Sequence, residues 1–494
     1  MSDAPTAADS ATGYEPDPRR WKALTVTLVA GFMSLLDVSI VAVALPSIQR
    51  GLGTSPSAVQ WVVSGYALTF GLALVPAGRL GDAMGRRKMF LVALAAFVLC
   101  SAAAGAAPAT GVLVAARLAQ GIAAGSLAPQ NSALIQQMFR GEERGRAFGF
   151  FGSTVGLSTA VGPIAGGVIL ALAGEQEGWR WVFFVNVPIG VVALVLAARL
   201  IPRAEPGPRQ HVDVAGVGLL GAGVLALMLP LVLAEAGGLR TLWWLFPLGA
   251  AVLVAFVWWE RRVVARGHEP LLDVGLLTGT PGYASGALLG TVYFIGFSGI
   301  WLVFALYLQS GLGYTPLQSG LAVTPFAFGA AASAVIGGRL IAKWGRMLTV
   351  AGLALVVLGL AVTAVIVWLA PPADVGWWMA PTLLIAGIGG GWVVAPNTTM
   401  TLRCVPVDVA GSAGGALQTG QRIGGAIGTA ALPGVYYALL AMNGRDFPTA
   451  AAVSLAAAVL SVVVALGVAI GEWRSEKRRS ETASGPAEHV PDAA

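Results

Sequence analysis

The stretch Gly78-Arg79-Leu80-Gly81-Asp82-Ala83-Met84-Gly85-Arg86-Arg87-Lys88 lies between two long apolar runs. Flanked in this way, it is expected to be a tight turn at a membrane surface. Gly78, Gly81 and Gly85 let the backbone bend sharply and let neighbouring helices approach. Arg79, Arg86, Arg87 and Lys88 mark the side it faces, because Lys and Arg accumulate in cytoplasmic loops. Asp82 is a single acid held among these cations. A generic positively charged turn would not require the Gly–Asp–Gly spacing.

The rest of the chain agrees with a membrane surface at that point. It has 494 residues, of which 56% are hydrophobic and only 11% charged, with a mean hydropathy of +0.77. A soluble protein needs about a quarter of its residues charged, so the composition indicates an all-α polytopic membrane protein. The 66 glycines fit this, since small residues let transmembrane helices pack closely. Apolar windows of about 20 residues recur about fourteen times between residues 23 and 471. An even number puts both termini on one side. One face would carry Arg19, Arg20 and Lys22, the opening stretch, Arg140–Arg146, Arg199–Arg209, Arg261–Arg266, Arg339–Arg346, Arg403 and Arg474–Arg479. The other gets Arg50, Arg180, Arg240 and Arg445. This asymmetry predicts a bacterial cytoplasmic membrane protein with both termini in the cytoplasm. It also accounts for the net charge of +6 without a nucleic-acid partner. Of the two cysteines, Cys100 lies in an apolar run and Cys404 near a predicted cytoplasmic loop, so no disulfide framework is expected. The first twenty or so residues lack the apolar core of a signal peptide.

A weak repeat divides the chain. Gly338-Arg339-Leu340-Ile341-Ala342-Lys343-Trp344-Gly345-Arg346 echoes the opening stretch, with Ala342 in the place of its acid. Transporters are often built from two six-helix halves related by an axis along the membrane normal. The predicted organisation is a disordered tail over 1–22, a first six-helix half over 23–200, and linkers with an inserted helix pair over 201–282. A second six-helix half over 283–471 and a disordered tail over 472–494 complete it.

Two absences narrow the mechanism. None of Lys22, Lys88, Lys343 and Lys477 follows a glycine, so no phosphate-binding P-loop is present and ATP is not the expected fuel. His211, His268 and His489 all fall in predicted cytoplasmic segments, where they neither carry protons at mid-membrane nor form a metal-binding pair. The cluster Gly387–Gly391 follows no predicted strand and suits tight helix packing better than a dinucleotide. No cofactor or metal is expected.

Ionisable residues inside a bilayer are costly and usually functional. Asp37 is an acid deep in the first helix, about 22 Å above Lys22 at 1.5 Å per residue. An apolar site disfavours the charged carboxylate, as a reversible proton carrier requires. The alternative is an acid paired with a buried Arg for structure alone. Helical spacing puts Gln418 and Arg422 on one face of the thirteenth helix, where they meet either a polar substrate or a packing partner. Tyr66, Tyr293, Phe294, Trp301 and Tyr307 are candidates for stacking a planar compound, or packing residues.

The pattern G-x-L-x-D-x-x-G-R-[RK]-[RK] resembles the loop between helices two and three of the major facilitator superfamily. Leu36-Asp37-Val38-Ser39-Ile40-Val41-Ala42-Val43-Ala44-Leu45-Pro46 and Trp179-Arg180-Trp181-Val182-Phe183-Phe184-Val185-Asn186-Val187-Pro188-Ile189-Gly190 resemble signatures of its fourteen-helix drug:proton antiporter family. So do Asp213-Val214-Ala215-Gly216 and Glu269-Pro270-Leu271-Leu272-Asp273 around the insert. Arg117-Leu118-Ala119-Gln120-Gly121 resembles the helix-four motif of proton-coupled members, which implies that Arg117 acts with Asp37 in proton movement and that Gln120 lies near the substrate. Gly149, Gly152 and Gly156 lead to Gly162-Pro163 and Gly166-Gly167, an ending similar to the antiporter motif, with Ser158 where that pattern usually has glycine. The resemblance implies a major facilitator fold with two inserted helices. It assigns gating to Gly78, Asp82, Gly85, Arg86, Arg87 and the helix-five glycines, and substrate contact to Asp37, Tyr66, Gln120, Tyr293, Trp301, Gln418 and Arg422. Asp82 is expected at the start of helix thirteen, near Asp408–Ser412, where a helix dipole favours negative charge. The implied activity is proton-coupled efflux of hydrophobic or amphipathic drugs or secondary metabolites by a monomer in the lipid bilayer. A dedicated exporter of one native metabolite, an importer and an intramembrane enzyme are the alternatives. The G-P-x-x-G-G ending speaks against import, and the lack of a nucleophile–base set at depth speaks against an enzyme.

Overall fold

A chain in lipid must satisfy every backbone N–H and C=O within itself, and helices do so. The computed structural model describes residues 17–483, apart from 55, 175–176, 204–212, 234–236, 269, 273–274, 373 and 443–445, and these are overwhelmingly helical. The first half comprises α1 (Arg20–Leu52), α2 (Pro56–Met84), α3 (Arg86–Gly105), α4 (Thr110–Met138), α5 (Gly141–Ala173) and α6 (Gly178–Leu200). Then come α7 (Val214–Val232) and α8 (Leu245–Ala265). The second half comprises α9 (Tyr283–Ala305), which continues as a π-helical turn over Leu306–Gly311, then α10 (Pro316–Trp344), α11 (Arg346–Leu369), α12 (Val375–Thr401), α13 (Ala410–Met442) and α14 (Phe447–Ala483).

Among the described residues, 12 helices are long and apolar enough to cross a membrane. Helix α8 is outside that set, since Glu260, Arg261 and Arg262 follow its Trp258-Trp259. In α5 the apolar run covers Ile164–Ala173.

The opening stretch is not the loop its composition suggested. Helix α2 runs through Gly78, Asp82 and on to Met84, and the reversal is confined to Gly85, at φ +96°. A β-carbon is disfavoured at such a φ, so glycine is required there. The echo reverses in the same manner at Gly345, at φ +49°. The C-terminal end also differs from expectation, because the chain does not turn irregular at 472. Helix α14 continues to Ala483, with Glu472 accepting from Ser285 Oγ at 2.8 Å and from Arg479 Nη2 at 2.7 Å. The tails 1–16 and 484–494, with Arg209, His211, Glu269, Asp273, Arg445 and His489, lie outside the described residues.

Burial follows the two halves. Phe90, Phe97, Leu127, Ile135 and Phe148 are among the core of the first, and Ile300, Leu353, Leu383, Leu455 and Val462 among that of the second. The insert packs Leu220, Val224, Met228 and Phe256 against Leu68 and Val75 of α2, beside Ile423 and Ala426 of α13. It therefore straddles the seam between the halves. Trp259 Nε1 donates to Asp213 Oδ2 at 2.7 Å, and Leu272 N to the buried Glu260 at 3.3 Å, which fixes the linkers to α8.

Candidate functional site

A charge without water must be paired and its remaining lone pairs filled. Asp37 of α1 meets this condition at zero exposure. Its Oδ2 accepts from Arg117 Nη1 at 2.5 Å, and its Oδ1 from Gln120 Nε2 at 3.1 Å and Asn186 Nδ2 at 2.9 Å. Arg117 and Gln120 stand one turn apart on α4, so both reach the same carboxylate. The guanidinium also donates to Gln120 Oε1 at 2.9 Å and, through Nε, to the Val62 carbonyl at 2.9 Å. The Tyr66 ring lies 4.1 Å from the guanidinium carbon, while its hydroxyl donates to the Ser34 carbonyl at 3.1 Å. The site thus joins α1, α2, α4 and α6. Asn186 is held in turn by its second bond, to Ser101 Oγ at 3.1 Å.

The face that bears the basic loops is sealed along two seams between the halves. In the first, Asp82 sits at the start of α13. Its Oδ1 accepts from Gly411 N at 3.1 Å and its Oδ2 from Ser412 N at 2.9 Å, two helix-terminal donors with no partner in the helix itself. Arg86 pairs with Asp82 Oδ1 at 3.1 Å, and donates to the Ala133 carbonyl at 3.2 Å and to the Val407 carbonyl. Arg87 donates to the Ala198 carbonyl at 2.5 Å, tying α3 to α6. A β-carbon on Gly78 would lie 2.6 Å from the Gly411 carbonyl carbon. In the second seam, a β-carbon on Gly338 would lie 2.6 Å from the Gly145 oxygen, and Ser153 Oγ donates to the Ala331 carbonyl at 2.6 Å. Gly78 and Gly338 hold the same place in the repeated motif, so each half closes the other with the same device. The repeat lacks the acid, and its Arg346 instead donates to Asn397 Oδ1 at 3.1 Å.

Helix α5 lies tightly against α1 just beyond Asp37. A β-carbon on Gly162 would come within 2.5 Å of Ser39 Cβ, and one on Gly166 within 3.1 Å of Ile40. Ser39 Oγ donates to the Ser158 carbonyl at 3.1 Å, so the serine that departs from the antiporter pattern is accommodated. Gly167 has nothing within 4 Å of a β-carbon and plays no part in this contact. The side chain of Pro163 lies outside the described residues.

Toward the opposite face the halves part around a cavity of about 530 Å³. Helix α5 supplies Gly152, Val155, Gly156 and Ile164, and Val43 comes from α1. The second half supplies an aromatic wall of Tyr293, Phe297, Trp301, Phe304 and Phe326, with Gln309, Ser319 and Thr324 at its end away from the basic loops.

These positions sort the expected substrate residues. Tyr293 and Trp301 line the cavity, whereas Asp37, Tyr66, Gln120, Gln418 and Arg422 are not among its lining residues. Asp37 and Gln120 turn their polar atoms toward each other and Arg117, while Tyr66 lays its ring on that guanidinium and commits its hydroxyl to the Ser34 carbonyl. Gln418 Nε2 reaches across to the Ala128 carbonyl at 3.3 Å and Ser132 Oγ at 3.5 Å of α4. Arg422 places its guanidinium 4.1 Å from the Phe70 ring. Phe294 packs on Phe297, and Tyr307 Oη donates to the Val367 carbonyl at 3.2 Å. Asn186 and the wall residues Phe297, Phe304 and Phe326 are contributors that sequence reasoning passed over. An amide in an apolar span was the available signal for the first, and nothing separates the three phenylalanines from others in the helices. Both cysteines are free, and the described residues contain no group of three or more His, Cys, Asp or Glu that would hold a metal.

Two helical halves, closed on one face and parted by a cavity toward the other, with a buried acid–guanidinium pair in the first, define a membrane transporter. The chain belongs to the Major Facilitator Superfamily, whose family model matches residues 27–429. It is 37% identical to a probable actinorhodin transporter of Streptomyces coelicolor over 89% of this chain and 76% of that one. It is also 37% identical to the puromycin resistance protein pur8 of Streptomyces alboniger, over 94% and 91% of the two chains. Among solved structures, a human organic anion transporter superimposes with a TM-score of 0.68 at 15% identity, covering 92% of this chain and all of that one, which is a likeness of fold.

Proposed function

We propose that this protein exports hydrophobic or amphipathic drugs and antibiotics across the bacterial cytoplasmic membrane in exchange for protons. The observation that carries the reading is the buried Asp37, held by Arg117, Gln120 and Asn186 within the first half. The names of the Streptomyces relatives, one a probable actinorhodin transporter and the other a puromycin resistance protein, support export as the direction. In this reading the basic face is cytoplasmic, both termini lie there, and α5 and α8 cross the membrane with the 12 apolar helices. The cavity then opens outward. A proton arriving from outside neutralises Asp37 and frees Arg117, which loosens α1 from α4 as cargo leaves. Loss of that proton to the cytoplasm restores the pair and resets the site. The halves alternate as rigid bodies, and the monomer is the working unit.

The test is gradient-driven uptake of a fluorescent drug into everted vesicles. Asp37→Asn is expected to abolish accumulation. It also strands a buried guanidinium, at a cost of about 3–5 kcal/mol. The double variant Asp37→Asn/Arg117→Gln separates the two effects, recovering thermal stability but not transport. If Asp37→Asn vesicles still accumulate drug only when a proton gradient is imposed, the carrier is another group.

A second reading is a dedicated exporter of one compound, since each of these relatives is named for a single antibiotic. A panel of unrelated toxic compounds, applied with and without expression of the protein, decides between them.

A further inference from the structure

Resting on the export reading above, we propose that the cavity selects neutral planar aromatic compounds that carry hydrogen-bond acceptors, as in a quinone or aryl ketone, and that export of such cargo is electrogenic.

The wall is built for flat rings. Tyr293 and Phe297 lie nearly parallel at 5.5 Å, and Trp301 meets Phe326 edge-on at 4.9 Å. Offset stacks and edge-to-face contacts are the arrangements aromatic groups favour. Helix α5 contributes Gly152 and Gly156 together with Val155 and Ile164, an apolar surface with two positions that carry no side chain. At about 530 Å³ the space falls in the range of small-molecule sites.

Two donors in the wall stand unpaired. Tyr293 Oη and Trp301 Nε1 are both buried atoms without a hydrogen-bond partner among the described residues, and Tyr293 is only 1% exposed. Buried polar atoms nearly always have partners, so an orphan in a cavity wall marks a place where a ligand atom completes the bond. The tryptophan N–H can only donate, and the tyrosine hydroxyl can donate too. A ligand that completes both offers acceptors. Gly390 lies beside the hydroxyl, with its β position 3.3 Å from Oη, and offers it no side-chain partner. At the end away from the basic loops, the π-helical turn of α9 turns Gln309 toward the same space. None of the lining residues is charged among those described, so no carboxylate is present to recognise an organic cation.

Charge balance follows directly. When the cargo is neutral, exchange for any number of protons moves net charge across the membrane. A membrane potential is then sufficient to drive transport when the pH is equal on both sides.

The experiment uses the purified full-length protein and three probes: 2-(hydroxymethyl)anthraquinone, 2-(hydroxymethyl)anthracene and ethidium. Binding in detergent is expected to favour the quinone over the anthracene by roughly tenfold or more, the worth of a hydrogen bond to an otherwise stranded donor. Tyr293→Phe and Trp301→Phe should each erase most of that preference, with an unfolding temperature close to that of the wild type as the control for folding. In proteoliposomes with equal pH on both sides, a valinomycin potential should drive quinone movement. Equal binding of quinone and anthracene, or tighter binding of ethidium, overturns the proposal even if protons drive transport. Quinone transport that ignores voltage and responds only to a pH difference also overturns it. Quinone preference in binding, with no probe moved by any gradient, would leave the selectivity standing and sink the export reading instead.

Discussion

Replacing Gly411 by alanine puts a methyl group into the seam between α2 and α13. The new carbon would lie 2.6 Å from the Gly78 oxygen and 2.7 and 2.8 Å from the two oxygens of Asp82. Ordinary contact begins near 3.4 Å, so the carboxylate must retreat by about 0.7 Å. Its bonds from Gly411 N and Ser412 N, now 3.1 and 2.9 Å, would then pass roughly 3.5 Å, where they cease to be hydrogen bonds. Each bond to a charged acceptor is worth about 1.5–3 kcal/mol. With the Arg86 pair retained and some relaxation allowed, the form sealed on its basic face loses about 2–4 kcal/mol. At 1.4 kcal/mol per decade, the ratio of the two forms changes by about 30- to 700-fold. Alanine also raises helix propensity by about 1 kcal/mol, in both forms alike, so the fold should not suffer.

Spin labels read the outcome. Native Cys404 is exposed between α12 and α13, and Met84, at the end of α2, is half-exposed. Labelling Cys404 and Met84→Cys in a Cys100→Ser background spans the seam. Gly411→Ala is expected to convert a short distance into a long one for most molecules and to stall transport. An unchanged distance distribution together with wild-type transport would show that Asp82 does not latch this face.

Other substitutions divide packing from ornament. Gly162→Ala forces α5 away from Ser39 and should cut transport by tenfold or more, roughly 1.4 kcal/mol, whereas Gly167→Ala meets open space and should leave vesicle uptake unchanged. Asn186→Ala removes donors to both Asp37 and Ser101, and a loss of about 1–3 kcal/mol should appear as a lower unfolding temperature with reduced proton-coupled uptake. Truncation before Glu472 deletes the acceptor for Ser285 together with the last turns of α14, and should lower thermal stability, while truncation after Ala483 should not.

What could be read in the sequence, and what could not, follows from the range of each interaction. A charge in an apolar run stands out because water is absent there, so Asp37 and Arg117 were visible as single residues. That they touch each other is a contact across 80 positions, which no helical period reports. The Asp82 seam joins residues 330 apart, and it was anticipated only because a resemblance supplied the topology that spacing lacks. The turn itself was overestimated. Glycines and cations in a row look like loop, but at a close helix crossing glycine serves the helix by having no side chain, and only Gly85 needs its conformational freedom. The cavity was the least legible part. Phe297, Phe304 and Phe326 sit in apolar helices where phenylalanine is equally suited to lipid, to core or to cargo. Only the fold decides which of these three each one meets. Among the residues that line the cavity, Tyr293 and Trp301 carry buried polar atoms with unmet hydrogen bonds, and an unmet bond cannot be seen until every neighbour is in place.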